Sequence, residues 1–325
     1  MTPPDLDILG IGNAIVDVLA PTPDAFLAER GLPKGGMSLI STEQAEALYA
    51  AMPAGVESSG GSAANTCAVA AALGARVGFL GKVAPDALGR VFAHDIRAAG
   101  VHFPTAPLEG GAPTARCLIL VTPDGQRTMN TFLGACVSFG EADVDEAEVA
   151  RAGIVYLEGY LFDPPAAQAA FRKAARAARA AGRQVAITLS DPFCVGRHRD
   201  AFLDFVRRDA DILFANEAEV TALYGTEDFE EAAARAGQDV AIAALTRSAR
   251  GSVILAGTTR VTVPAAPAQV VDTTGAGDAY AAGFLAAHAR GLGLEQAGRW
   301  GSIAAAEVIG HFGARPQADL KEMVA

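Results

Sequence analysis

From Ile154 onward the chain sets short apolar runs against longer amphipathic stretches, one after the other. IVYL at 154–157, VAITL at 185–189, ILFA at 212–215 and VAIAAL at 240–245 each read as a buried strand. The stretches at 164–181, 200–208 and after 216 read as helices. Strands that alternate with helices must run parallel and be covered on both faces, because each crossover helix packs back on the sheet. The expected fold is α/β, a doubly wound and mostly parallel sheet. Ligands on such sheets collect outside the carboxyl ends of the strands. Two early regions break the rhythm. Ile15-Val16-Asp17-Val18 alternates like a strand, and TARCLILV and RTMNTFL flank Thr122-Pro123-Asp124-Gly125, a hairpin signal. These predict a small β lid built from about 14–58 and about 105–134, within one unit spanning 1–325. Thr22 and Thr42 are read as the caps of two short helices.

The 325 residues, 51% hydrophobic and 19% charged, supply a large core. Net charge is −11 and no run of Lys and Arg exceeds two residues, which argues against nucleic acid or an anionic membrane as partner. Cys67, Cys117, Cys136 and Cys194 are dispersed without a CxxC pair, as expected of buried thiols in a reducing compartment. With no signal peptide or spanning segment visible, the expectation is a cytoplasmic protein, monomer or homodimer.

The stretch VVDTTGAGDAYAAGFLAA at 270–287 carries the chemistry. Gly275, Ala276 and Gly277 form a tight turn at a helix start, where bare backbone N–H groups and the helix dipole favour an anion. Asp278 sits beside that anion. It is read either as a favourable charge on a helix start or as a base taking a proton from an attacking hydroxyl in phosphoryl transfer.

Further polar groups stand at matching places. Asp17 is a lone carboxylate in an apolar strand, facing outward or accepting from a vicinal diol. Gly60 and Gly61 precede an Ala-rich helix that carries Asn65 near its head, as a plain cap or as a ligand-facing loop. Arg127 follows the Asp-Gly turn, either as a solvated charge or reaching into a site. Asn216 and Glu219, three apart at a strand-to-helix junction, suit a hydrated Mg²⁺ and equally suit a capping box. Gly10-Ile11-Gly12 is not a dinucleotide fingerprint, because Ile15 occupies the third glycine position. GFLGK lacks the spacing of a phosphate-binding P-loop.

Assembled, the chain resembles the ribokinase-like carbohydrate and nucleoside kinases that carry PfkB signatures. DTTGAGDAYAAGFLAA is similar to the family's carboxyl-terminal signature, GGSAANTCAVAAALGARVGFLGKVAPDALG to its amino-terminal one, and NEAE to its Asn-x-x-Glu motif. GIGNAIVDVLA, TLSDPF, ADILFANEAEV and the closing AGRW and GARP resemble the adenosine kinase branch. The resemblance implies ATP and Mg²⁺ as cofactors and Asp278 as base on a primary hydroxyl. It implies the backbone of Thr274 to Gly277 as anion hole. It implies Asn13, Asp17, Gly60, Gly61 and Asn65 around the sugar, and Asn216 and Glu219 organising Mg²⁺. Thr246 and Gly251, with 263–268 and 304–313, would line ATP, and Asp272 with Thr274 would hold a monovalent cation such as K⁺. Met37, Met129, Thr131, Phe132 and Tyr160 either wall a base pocket or simply close the lid. Ser248 stands where many relatives carry glycine, and Met37 where some carry glutamine. The implied activity is phosphorylation of a ribose-containing substrate, a purine nucleoside such as adenosine. The alternatives are a kinase of free ribose, fructose or a related sugar, or a non-catalytic nucleoside-binding relative.

Overall fold

Alternation along the strands divides the interior into two cores. In the strand Ile212–Asn216, Ile212 and Phe214 enter one core while Leu213 and Ala215 enter the other. The computed structural model describes residues 3–325. Among the described residues, fourteen strands run in chain order. β1 (Leu6–Ile11), β2 (Ile15–Pro21), β3 (Met37–Leu39), β4 (Val56–Gly60) and β5 (Val77–Leu80) come first. β6 (Val101–His102), β7 (Ala115–Val121), β8 (Arg127–Phe132), β9 (Ala152–Glu158) and β10 (Gln184–Thr188) follow. β11 (Ile212–Asn216), β12 (Ile242–Thr246), β13 (Ser252–Ala256) and β14 (Thr259–Val263) complete the set.

The larger sheet has nine strands in the order β14-β13-β12-β11-β10-β9-β1-β5-β6. β12 to β6 in that order pair in parallel, and β13 and β14 add an antiparallel hairpin at one edge. One face is covered by the helices Ser62–Ala72, Ala87–Ala98, Ala276–Ala289 and Leu294–Val308. The other is covered by Pro165–Ala180, Pro192–Asp209, Glu217–Tyr224 and Phe229–Asp239. This is the expected doubly wound α/β architecture. β1 lies between β5 and β9, so the chain leaves β1 in one direction early and in the other direction later. That reversal opens a crevice at the carboxyl ends of β1 and β9.

The second sheet has five strands in the order β3-β8-β7-β2-β4. Val16, Val18, Leu118 and Leu120 point from it into the core beside Leu27 and Leu48, from the helices Asp24–Glu29 and Thr42–Ala51. Each such buried aliphatic side chain contributes about 1.5–3 kcal/mol. The opposite face carries Asp17, Cys117, Thr131 and Leu39 in one row across four strands. Met129 and Met37 form a neighbouring pair on that face.

Helix starts differ from the sequence reading in three places. Thr22 caps nothing: its hydroxyl turns back to the Ala20 carbonyl, and Pro23 begins the helix. Ser41, not Thr42, caps the next helix through a reciprocal box with Gln44. A further helical segment starts at Pro192, where the Asp191 carboxylate accepts from the N–H groups of Phe193 and Cys194, and the non-helical backbone of His198 separates it from the helix expected at 200–208.

Candidate active site

The turn at the head of Ala276–Ala289 is shaped by glycine. Gly275 adopts φ 76°, and a Cβ there would lie 2.6 Å from the Ala314 side chain. Thr274 N–H donates to Asp272 Oδ1 at 3.1 Å and Ala276 N–H to the Thr273 carbonyl at 3.2 Å. Those two groups of the expected anion hole are therefore spent inside the turn. Among the described residues, the N–H groups of Gly275, Gly277 and Asp278 donate to no protein acceptor. They are the open donors, at the positive end of the helix dipole.

Asp278 does not fold back on its own helix. Its Oδ1 accepts from Ser62 Oγ at 2.6 Å, and Asn65 Nδ2 points at its Oδ2 from 3.5 Å. Burial pushes the carboxyl up to about 6, against the pull of Ser62, Asn65 and the Arg315 guanidinium. A carboxylate so placed is charged at neutral pH and basic enough to take a proton.

Asp17 faces the same cleft. Its carboxylate lies against the bare α-carbon of Gly60, where any Cβ would collide with it. Gly61, at φ 97°, brings the chain against the Asn13 carbonyl before the Ser62–Ala72 helix begins. Burial also raises Asp17 to about 6, opposed by Arg315 and Arg127 and reinforced by Asp278. Two carboxylates thus share one field.

At the sheet crevice, Glu158 ends β9 and is buried. Its Oε1 accepts from Asn13 Nδ2 at 2.8 Å and from Asn13 N at 3.3 Å, and its Oε2 from Ala63 N at 2.8 Å. This pins the Asn13 amide with Nδ2 inward, leaving Asn13 Oδ1 without a protein partner. Burial raises Glu158 to about 7, against the bonds from Ala63 and Asn13.

Met37, Met129 and Thr131 lie on the Asp17 face of the second sheet, with Thr131 Oγ1 donating to Cys117 Sγ at 3.3 Å. Phe132 points to the other face, where the Arg116 guanidinium lies over its ring, so it does not join them. Tyr160 sits in a short turn after β9. Its hydroxyl is pushed up by burial, then by Asp191, Asp278, Glu219 and Glu158.

Asn216 and Thr246 are direct neighbours at the carboxyl ends of β11 and β12. Asn216 and Glu219 form a complete capping box: Glu219 N–H donates to Asn216 Oδ1 at 2.9 Å, and Asn216 N and Nδ2 donate to the Glu219 carboxylate at 2.9 and 2.6 Å. Burial raises Glu219 to about 7. Each of its oxygens keeps one lone pair, which leaves the pair able to take part in holding Mg²⁺. Gly251 packs against Val263 and Ala265. Ser248 takes φ 52°, the left-handed conformation that glycine adopts without strain.

Asp272, the residue expected at a monovalent cation, meets protein donors on both carboxylate oxygens. Its Oδ1 holds Thr274 N and Oγ1; its Oδ2 takes Arg127 Nη1 at 2.7 Å and Gly313 N at 3.3 Å. Arg127 thus reaches from β8 of the second sheet to the anion turn, its guanidinium over Phe312, with Nε and Nη2 buried and unpartnered. A cavity of about 400 Å³ is lined by residues 262–267 and by Glu295, Arg299, Ser302 and Ile303. Residues 263–267 of the 263–268 segment line it, and none of 304–313 does.

Three residues went unmarked in the sequence: Ser62, Glu158 and Arg315. Ser62 lay inside the GGSAAN run and Arg315 inside GARP, but nothing near Glu158 distinguishes it from an ordinary strand end.

The pfkB family carbohydrate kinase profile matches residues 37–320. The chain belongs to the pfkB family of carbohydrate kinases. Its structure superposes on an adenosine kinase from Sinorhizobium meliloti with a TM-score of 0.90 and 53% identity, covering 98% of each chain. It superposes on a probable sugar kinase from Rhizobium etli with a TM-score of 0.91 and 49% identity, again over 98% of each. An ATP-dependent ribose-1-phosphate kinase from Halopiger xanaduensis is 33% identical over 81% of this chain and 85% of its own. As a pfkB kinase, the protein is a phosphotransferase that acts on a hydroxyl group of a sugar or nucleoside. No helix among the described residues is long and apolar enough to cross a membrane.

Proposed function

We propose that this pfkB kinase transfers the γ-phosphoryl group of ATP to the 5′-hydroxyl of a purine nucleoside such as adenosine. The observation that carries the reading is Asp278, a half-buried carboxylate turned away from its own helix and set beside three open N–H donors. The 53% identity to an adenosine kinase over nearly the whole chain favours a nucleoside acceptor. Asp17 and Asn65 hold the ribose hydroxyls, and Asn13 Oδ1 accepts from one of them. The base lies between Tyr160 and the Met37, Met129 and Thr131 face of the second sheet, which acts as a lid.

Asp278 takes the proton of the 5′-hydroxyl as that oxygen bonds to the γ-phosphorus and the bridging P–O bond to ADP breaks. The N–H groups of Gly275, Gly277 and Asp278, with the helix dipole, face the charge on the moving phosphoryl group. The free Nε and Nη2 of Arg127 face the same charge from the lid side. Asn216 and Glu219 would hold Mg²⁺ through water, and the ion would neutralise the phosphates. The cavity beside 262–267 has the size and the apolar walls for the adenine of ATP. The identity to a ribose-1-phosphate kinase keeps a sugar acceptor as the second reading.

A panel of nucleosides, free sugars and ribose 1-phosphate, followed by ADP release, tests this. Adenosine or another purine nucleoside should give the highest kcat/KM. Turnover of sugars without nucleosides overturns the nucleoside reading.

A further inference from the structure

The segment between the Leu294–Val308 and Leu320–Val324 helices binds the anion turn as a strap. The Ile309 carbonyl accepts from Val271 and Asp272 N–H at 2.8 and 3.2 Å, Gly313 N–H reaches Asp272, and Ala314 lies under Gly275. The next residue, Arg315, leaves the turn and crosses to the other wall. Its Nη2 donates to Ser59 O and Ser59 Oγ, both at 2.8 Å, and its Nη1 to Ala64 O at 3.3 Å. Ser59 is the penultimate residue of β4 and Ala64 lies in the first turn of the Ser62–Ala72 helix, so one guanidinium spans Gly60 and Gly61. Ser59 N–H is in turn held by Asp95 of the Ala87–Ala98 helix at 2.7 Å. Arg315 Nε is buried without a partner.

We propose that Arg315 is a positioning residue for phosphoryl transfer: clamped across the Gly60–Gly61 joint, it fixes the Asp17 wall against the Asp278 wall and supplies the positive charge that both carboxylates face. The proposal rests on the phosphotransfer reading of Asp278 and not on the choice of acceptor. The groups around the guanidinium come from every packed element: Asp17 from β2, Asp95, Cys67 from the Ser62–Ala72 helix, and Asp278. Asp17 also faces Arg127, and Asp278 faces Ser62 and Asn65. Burial makes this arginine easier to deprotonate than usual, and the surrounding carboxylates hold its charge. A planar fork is required, because a single ammonium cannot reach Ser59 and Ala64 together.

The test uses full-length Arg315→Gln and Arg315→Lys. The first measurement is the pH dependence of kcat/KM with whichever acceptor the wild-type enzyme turns over best. The second is hydrogen exchange over 59–66, which needs no substrate. In Arg315→Gln the acid limb should move up by about one pH unit, as expected on losing an opposite charge near a carboxylate, and exchange should quicken. Arg315→Lys should keep the wild-type limb with faster exchange and lower kcat. If Arg315→Gln fails to fold, the lysine variant decides alone. A wild-type acid limb in Arg315→Gln, or wild-type exchange in Arg315→Lys, overturns the proposal. A wild-type enzyme active only on sugars removes the nucleoside reading and leaves Arg315 to be judged by the same curves.

Discussion

Two helices start at the carboxyl edge of the large sheet with an acidic residue at their third position, and they use it in opposite ways. At Glu217–Tyr224 the cap is Asn216, and Glu219 folds back to satisfy the cap's own N–H groups. At Ala276–Ala289 the cap is Gly275, which has no side chain to offer. Asp278 there is drawn out to Ser62 and Asn65 on a different helix, and the N–H groups stay open. A carboxylate that closes a capping box spends one lone pair of each oxygen on its own helix start. One held from across a cleft keeps the helix start free for an anion and its own lone pairs free for a proton.

The largest expected effect strikes the open helix start. Asp278→Asn should lower kcat by about 100-fold to 10,000-fold, the range for a lost general base, with nucleoside affinity by calorimetry little changed. Turnover near wild type would make the two helix starts equivalent. Gly275→Ala should cost about 1–3 kcal/mol, since a methyl group must be fitted at positive φ against Ala314. Melting and the KM for ATP both read it, and an unchanged KM would separate the turn from phosphate binding.

The pH dependence sharpens the contrast. With Asp278 at about 6, kcat/KM should rise through pH 6 and level off above it, because the base acts deprotonated. A limb centred below pH 5 would contradict the buried setting. Glu219→Gln should leave the capping box largely intact, since Gln serves at that position, and should raise the Mg²⁺ needed for half-maximal rate by about a few-fold. Its stability carries a sign as well. Burial raises the folded Glu219 to about 7, above its ordinary value of 4.5, so the native state loses stability as pH rises from about 4.5 through 7. The Gln variant should therefore melt higher relative to wild type at pH 8.5 than at pH 5.5. The smallest effect is Ser248→Gly, which relieves a left-handed serine and should gain up to about 1 kcal/mol with activity unchanged.

Much of this was legible before folding, for local reasons. The Gly-Ala-Gly turn, the paired hairpin strands and the α/β rhythm depend on neighbours in sequence. The Asn216 and Glu219 spacing allows a cap or a metal, and the folded chain forms the cap. Thr22 failed as a cap because Pro23 already carried the extended conformation that starts the helix. Asp272 pairs with Arg127, far away in sequence on the second sheet, and nothing in its own segment signals that partner.

The sequence by itself determined the sheet, its direction and the Gly-Ala-Gly turn, since backbone periodicity and glycine conformation are properties of short segments. The tertiary structure alone decided which carboxylates face one another and which cation balances them. Ser62 and Asp278 are 216 positions apart, and Arg315 and Ser59 are 256 apart. Charge and burial act through space, so no local pattern announces Glu158 or Arg315, and only the folded chain brings them to Asn13, Asp17 and Asp278.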